Sequence, residues 1–304
     1  MSQATAPSTG PGTTSQALWR EQALWFELDG DSLLAILSLP QGVIKPREAL
    51  LMVVGGPQYR AGSHRQYAQL ARSLAASGVV VMRFDVRGMG DSSGAARAFT
   101  ELDDDIASAC LALRAACPDV ERLSLLGLCD GASAALMFLR NRPDVPVGGV
   151  VLINPWVRHE QTLAATQVRH YYAQRLLQWR FWRQVLAGGL SLKAIREFLS
   201  TVLTTLQARL RRIQPDDAPA DFREQMRQGL RDFDGDVLLI LSSNDFVARE
   251  FQSLCAAHQG WQEIMRRRRT QCIEMAGADH THSHAGDASR LHAYLLTFLH
   301  LSRH

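Results

Sequence analysis

The sequence lacks any uninterrupted apolar run approaching the ~20 residues that span a bilayer, and it does not open on a basic stretch followed by an apolar one. These absences point away from a membrane-spanning or secreted chain. It also lacks a C-x-x-C pair. The five cysteines, Cys110, Cys117, Cys129, Cys255 and Cys272, are odd in number, which argues against a disulfide framework and a structural zinc site, and for a reducing compartment. Lys and Arg total 33 against 30 Asp and Glu, a formal charge of +3. That is too little to imply a nucleic-acid partner. No internal repeat is visible. A cytoplasmic protein is expected, with residues 1–16, rich in Ser, Thr, Gly, Ala and Pro, as a flexible leader.

What the sequence does contain is alternation. Residues 22–40 read as two strands joined at Asp29-Gly30-Asp31, a hairpin signal. An apolar strand from Ala49 ends in Gly55-Gly56. Residues 64–77 have helical periodicity and stop at Gly78; 79–85 read as a strand and 101–117 as a helix. An apolar strand then leads into Cys129, a helix runs to about Arg142, and a strand covers 149–155. Strands alternating with helices at this spacing imply a mostly parallel sheet with helices on both faces. The rhythm breaks at Trp156. Residues 158–235 hold no strand-like run and read as helical, with breaks at Gly188-Gly189 and Pro215. Alternation resumes at Asp236, with a helix near 250–258, a strand near 271–275 and a closing helix over 287–301. The expected organisation is one α/β core, residues 17–157 and 236–304, with a helical cap at 158–235 between the sixth and seventh strands.

Gly127-Leu128-Cys129-Asp130-Gly131 stands where a strand ends and a helix opens. It is a G-x-C-x-G version of the nucleophile elbow. A nucleophile raised on so sharp a turn has strained backbone angles, and the residues two before and two after it crowd together; glycine at both places removes the clashing Cβ atoms. The helix N-terminus behind the sulfur favours a thiolate. The alternative is an ordinary buried cysteine in a strand–turn–helix.

A nucleophile needs a base, and the base an orienting acid. Catalytic groups of open parallel sheets gather beyond the carboxyl ends of the strands. One later strand leads to Asn244-Asp245 and another to Ala278-Asp279-His280. Asp245 is the candidate acid and His280 the candidate base. Asp234 and Asp279 are weaker acid candidates, and Asn-Asp also forms simple turns. The order Cys129, Asp245, His280 matches the nucleophile–acid–base order of the elbow-bearing hydrolases. The run from Asp279 to His284, with His280, His282 and His284 alternating, also has metal-ligand spacing. No further ligand cluster accompanies it, so neither metal nor cofactor is expected.

With these residues the chain resembles the α/β hydrolases over nearly its whole length. Residues 84–92, which contain Asp85-Val86-Arg87-Gly88-Met89-Gly90, resemble the loop after their fourth strand. More narrowly, residues 55–66, Gly127-Leu128-Cys129-Asp130-Gly131 and Gly277-Ala278-Asp279-His280-Thr281 resemble the type-1 hydrolases associated with the exosortase A system, bacterial proteins linked to exopolysaccharide production and protein sorting. The resemblance implies an α/β-hydrolase fold with an eight-stranded sheet, a Cys–Asp–His triad and a cap.

A developing oxyanion needs N–H donors. Asp130, which follows the nucleophile, is expected to supply one from its backbone. The second is expected from Gly55-Gly56-Pro57-Gln58. Proline has no N–H, which leaves Gln58, the favoured donor, or Gly56; the Gly-Gly-Pro segment also reads as a plain turn. Tyr59, Arg60, Trp156 and His282 are candidates for substrate contact, and Asp85 and Arg87 are expected to brace their loop. Residues 158–214 carry ten Lys/Arg against Glu160 and Glu197. Three readings stay open: solvated arginines on a cap whose aromatics pack inward, an anionic ligand, or peripheral membrane contact. The function expected is cysteine-dependent hydrolysis of a small-molecule or carrier-bound ester or thioester. An acyltransferase using acyl-CoA or an acyl-carrier thioester and a non-catalytic binding protein are the alternatives.

Overall fold

A computed structural model describes residues 18–42, 45–56, 58–158, 221–267 and 269–301. The elements in chain order are strands β1 (Trp19–Leu28), β2 (Asp31–Pro40) and β3 (Glu48–Val53), helix α1 (Gln66–Ala76), β4 (Val80–Phe84), α2 (Asp103–Ala116), β5 (Arg122–Leu128), α3 (Asp130–Asn141) and β6 (Gly149–Ile153). After the insertion come α4 (Phe222–Asp232), β7 (Asp236–Ser242), α5 (Phe246–Ala257), α6 (Gln259–Met265), β8 (Thr270–Met275) and α7 (Asp287–Leu301). The strands form one sheet in the order β1-β2-β4-β3-β5-β6-β7-β8. β1 pairs antiparallel with β2 and β2 with β4, and every other pairing is parallel.

The first hairpin turns on Asp29 and Gly30, both at positive φ (55° and 88°), as a two-residue turn matched to strand twist requires. The central strands are buried on both faces, so they read as unbroken apolar runs. Leu50, Met52, Leu126, Leu128, Val151, Ile153, Leu238 and Ile240 point to one face and pack with Tyr67, Leu70 and Leu74 of α1 and Leu291, Leu295 and Phe298 of α7. The alternate residues, such as Leu51, Val53, Leu125 and Leu152, point the other way and are equally buried.

Two helices differ from the sequence reading. α5 begins at Phe246, four residues ahead of the expected start, because Asp245 caps it: its carboxylate accepts the Val247 N–H at 3.1 Å. α6 has one buried turn, where Trp261 meets Phe251 edge-on at 5.4 Å; seven residues are too few for a helical period to register. The arginine cluster that follows is more than a solvated run. Arg267 donates to the Arg231 carbonyl at 2.5 Å, at the C-terminal end of α4, satisfying an acceptor that a helix end leaves open.

The chain divides into a sheet-bearing unit, residues 1–156 and 225–304, and a second unit, residues 157–224. The sheet-bearing unit therefore resumes at residue 225 rather than at Asp236. Met226 and Leu230 of α4 are buried, and at Gly229 a Cβ would come within 2.1 Å of the Leu136 carbonyl of α3. The expected cap falls mainly on residues 159–220, outside the described residues. Among the described residues no helix is long and apolar enough to cross a membrane.

The loop after β4 is braced by a buried ion pair. Arg87 donates to Asp105 from its backbone N–H at 2.8 Å, from Nε at 3.0 Å and from a terminal guanidinium nitrogen at 2.8 Å. Asp105 is fully buried and Arg87 nearly so. Removing Asp105 would leave the buried Arg87 charge with only its 3.4 Å contact to exposed Asp29. Asp105→Ala is therefore expected to lower unfolding stability by ~3–5 kcal/mol, read by urea denaturation; a loss below ~1 kcal/mol would mean that water reaches Arg87 and screens it as at a surface.

Candidate active site

The end of β5 sets the site. Cys129 sits at φ 59°, ψ −126°, the strained backbone expected of a residue thrust out between strand and helix. Its N–H donates to the Ile153 carbonyl at 2.9 Å, and its carbonyl accepts from Trp156 at 3.2 Å and from Ala132 at 3.1 Å. The turn is thus tied to the end of β6 on one side and to α3 on the other. A Cβ at Gly127 would lie 2.4 Å from the Gly131 carbonyl, and one at Gly131 would lie 2.5 Å from the Val53 carbonyl. Both neighbours are backbone, so neither can yield cheaply.

β7 and β8 bring in two further residues. Asp245 follows β7 and is buried; His280 follows β8. His280 Nδ1 and Asp245 Oδ2 are 2.7 Å apart. Hydrogen bonding to Asp245 first and to Cys129 second raises the imidazole from its ordinary 6.5 to about 10, against the opposing effect of burial. For Asp245, burial pushes the carboxyl up, but its bonds to His280 and to helix N–H groups outweigh it and hold the group below its ordinary range. The structure therefore gathers Cys129, His280 and Asp245, from three strand ends, at one place. Asp279 is a loop brace instead: its carboxylate accepts the Thr281 and Ser283 N–H groups at 3.1 and 2.9 Å and the Ser283 hydroxyl.

Of the four candidates for substrate contact, two stand elsewhere. The Arg60 guanidinium pairs with Asp85 and with Asp91, the latter at 2.6 Å, and its backbone N–H donates to Asp85 at 2.6 Å. Two carboxylates already answer its charge, so it braces the loops after β3 and β4. A cation two residues after Gln58 looked free because its partners lie in a different loop. His282 is buried behind the dyad, with Nε2 3.3 Å from Ser242 Oγ. Ser242 is held in turn by Asn154, whose amide donates to Oγ at 3.0 Å and accepts the Ser242 N–H at 2.8 Å. Burial lowers the His282 pKa and keeps the ring neutral, as a hydrogen-bond link rather than a charge. This chain from β6 through β7 to the His280 loop had no signal in the spacing of the sequence. Trp156 is partly buried beside the elbow, and its carbonyl accepts from Ser133 Oγ at 2.7 Å. Tyr59 is exposed.

The expected loop amides are both engaged. The Gly56 N–H donates to the Asp130 carboxylate at 2.8 Å, and the Gln58 N–H donates to the Gly56 carbonyl at 2.8 Å. Gly55 lies so close to the elbow that a Cβ there would come within 2.1 Å of Asp130 Oδ1. The Asp130 amide is the first of α3, one of the N–H groups for which a helix has no internal acceptor. Tyr67, buried on α1, is pushed well above the usual phenol range by burial and then by the negative charges of Asp130 and Cys129; its hydroxyl keeps its proton. Among the described residues one group has metal-ligand proximity, Asp279, His284 and Asp287. Asp287 already pairs with Arg290 and Asp279 with Ser283, and the group runs from the residue before His280 to the start of α7.

The strand order, the elbow between β5 and α3 and the paired Asp245 and His280 after β7 and β8 together define an α/β hydrolase. The model of the alpha/beta hydrolase family matches residues 50–291, and the chain belongs to that family. Among solved structures it is similar to the esterase Pf2001 of Pyrococcus furiosus, at 14% identity and TM-score 0.64 over 97% of this chain and 96% of that one. It is also similar to Est1E of Butyrivibrio proteoclasticus, solved with ferulic acid bound, at 15% identity and TM-score 0.57 over 91% of this chain and 100% of that one. An alpha-beta serine hydrolase homologue from Coxiella burnetii gives 14% identity and TM-score 0.55 over 91% and 97%. At these identities the likeness is one of fold. No curated protein sequence matches the chain.

Proposed function

We propose that the protein is a cysteine-dependent acyl hydrolase acting on an ester or thioester, with Cys129 as nucleophile, His280 as base and Asp245 as the acid that orients it. The observation that carries this reading is the 2.7 Å contact between His280 and Asp245, with Cys129 as the second group acting on the same imidazole. In the first half-reaction the sulfur attacks the acyl carbon while His280 holds the thiol proton as imidazolium. The carbonyl π pair moves onto oxygen; when the tetrahedral adduct collapses, the leaving alkoxide or thiolate takes the proton from His280. An acyl-thioester enzyme remains. In the second half-reaction His280 removes a proton from water, hydroxide attacks the thioester, and the sulfur leaves as thiolate and is reprotonated. Asp245 stays ionised and stabilises the imidazolium.

A thioester substrate suits this chemistry because exchange between two thioesters is nearly isoenergetic, and a small-molecule or carrier-bound acyl group can be presented this way. The resemblance of residues 55–66 to the exosortase-associated hydrolases supports a role in exopolysaccharide or protein-sorting metabolism. The test is intact-protein mass spectrometry after exposure to acyl-CoA and p-nitrophenyl ester series. The expected result is one acyl group on the peptide containing Cys129. No adduct and no turnover at any chain length would refute the reading. A stable adduct that water does not discharge, but an added alcohol, amine or thiol does, would make the protein an acyltransferase.

A further inference from the structure

The residue after the nucleophile presents two groups to the site. Its backbone N–H is an expected oxyanion donor, and its side chain is an anion. The Asp130 carboxylate reaches across from α3 to the loop after β3, where Oδ2 accepts the Gly56 N–H at 2.8 Å and Oδ1 accepts the Gly131 N–H at 3.1 Å. Gly56 is one of the two residues from which the loop's oxyanion donor was expected, and the other, Gln58, donates to Gly56 itself. The loop therefore offers no free N–H from either residue. The acceptor on Gly56 is chemically what the hole is built to receive, a negatively charged oxygen.

We infer that the Asp130 side chain is a resident occupant of the oxyanion hole, competing with the acyl oxygen for the Gly56 N–H. This rests on the proposed acyl chemistry at Cys129. One N–H makes one good hydrogen bond, and a carboxylate is a stronger acceptor than an uncharged ester carbonyl. A ground-state substrate cannot displace it; the oxyanion can compete on equal terms, but only if the carboxylate turns away, since two anions at one donor repel. The occupant thus makes the hole selective for the charged adduct and slows entry into it. Burial raises the Asp130 pKa, while the N–H groups of Gly56, Gly131 and Asp130 itself and the His280 charge oppose that rise. Acidification therefore weakens the occupant's hold on Gly56.

A reversible aldehyde tests this without turnover. With butanal the Cys129 sulfur would bond to the carbonyl carbon, the π pair would move to oxygen, and His280 would take the thiol proton, leaving a hemithioacetal with its oxygen in the hole. Affinity is measured by protection of Cys129 against alkylation, and the Gly56 amide is followed by nitrogen–proton correlation NMR. The variants are Asp130→Ala, which empties the hole, and Asp130→Asn, which keeps the shape without the charge. Asp130→Ala is expected to bind butanal about 10-fold more tightly than wild type, and Asp130→Asn to fall between them. Butanal should move the Gly56 resonance in wild type, and Asp130→Ala should move it without butanal.

Equal or weaker binding in a folded Asp130→Ala protein would overturn the inference and make the carboxylate a clamp that holds the loop in its working position. If that variant does not fold, Asp130→Asn decides in the same sense: tighter binding supports the inference and equal or weaker binding overturns it. Absence of any adduct in wild type and variants alike, indistinguishable from Cys129→Ala, would remove the acyl-transfer reading itself.

Discussion

Cys129→Ala is expected to abolish turnover of any ester or thioester substrate, with kcat lower by about 10⁶, the loss found when the nucleophile of a comparable triad is removed. Residual rate would come from binding and the remaining donors. The substitution removes one sulfur from a turn whose position is set by backbone bonds to Ile153, Trp156 and Ala132. The fold should persist, and substrate should still bind. Cys129→Ser carries the sharper information. An oxygen nucleophile depends more on its base, because thiols are intrinsically far better nucleophiles at neutral pH. A serine variant that keeps most of the activity would show that the geometry is built for a nucleophile in general. Loss close to that of alanine would show that it is built for sulfur. Full activity in Cys129→Ala, measured on protein purified away from host esterases, would end the proposed mechanism.

The second large effect is expected at the acid. Asp245→Asn keeps the size of the side chain and removes the carboxylate whose hydrogen bond most raises the His280 pKa. A loss of kcat of about 10⁴ is expected, as for other triads in which the orienting carboxylate becomes an amide. The pH dependence gives a separate readout. In wild type the imidazolium persists well above its ordinary 6.5, to about 10, and without Asp245 it is lost nearer 6.5. Stability should follow the same pair. A raised imidazole stabilises the fold fully below 6.5 and loses that contribution as pH climbs toward 10. A lowered carboxyl contributes above its ordinary 3.8 and loses its part as pH falls below it. The melting-temperature gap between wild type and Asp245→Asn is therefore expected to be widest between pH 4 and 6.5 and to close toward pH 10. A gap independent of pH would mean that the two groups are not ion-paired.

Much of the fold was legible because it rests on local rules. Asp29-Gly30 dictates a tight hairpin, and buried parallel strands must read as apolar runs ending at turn residues. Gly127 and Gly131 sit where backbone touches backbone. The meeting of Asp245 and His280 was legible from order alone, since strand ends on one edge of a parallel sheet converge. What escaped depended on contacts between distant segments. The capping role of Asp245 moved the start of α5, and α6 is shorter than its own period. Arg60 looked like a free cation until Asp85 and Asp91 came round to meet it. His282 resembled its neighbour His280, but the chain turns at His282, which has a positive φ of 52°, and its ring meets Ser242, which Asn154 holds. The engagement of Gly56 by Asp130 joins positions 74 apart, which no spacing within either motif could disclose.

The five unpaired cysteines have a practical corollary. Burial pushes Cys110 and Cys255 to about 12 and raises Cys117 and Cys272 as well. At neutral pH those four are quiet, so a limiting dose of a mild electrophile should stop at one label per chain. The stoichiometry of that label would count competent molecules in any preparation, giving each batch a built-in titre that needs no substrate.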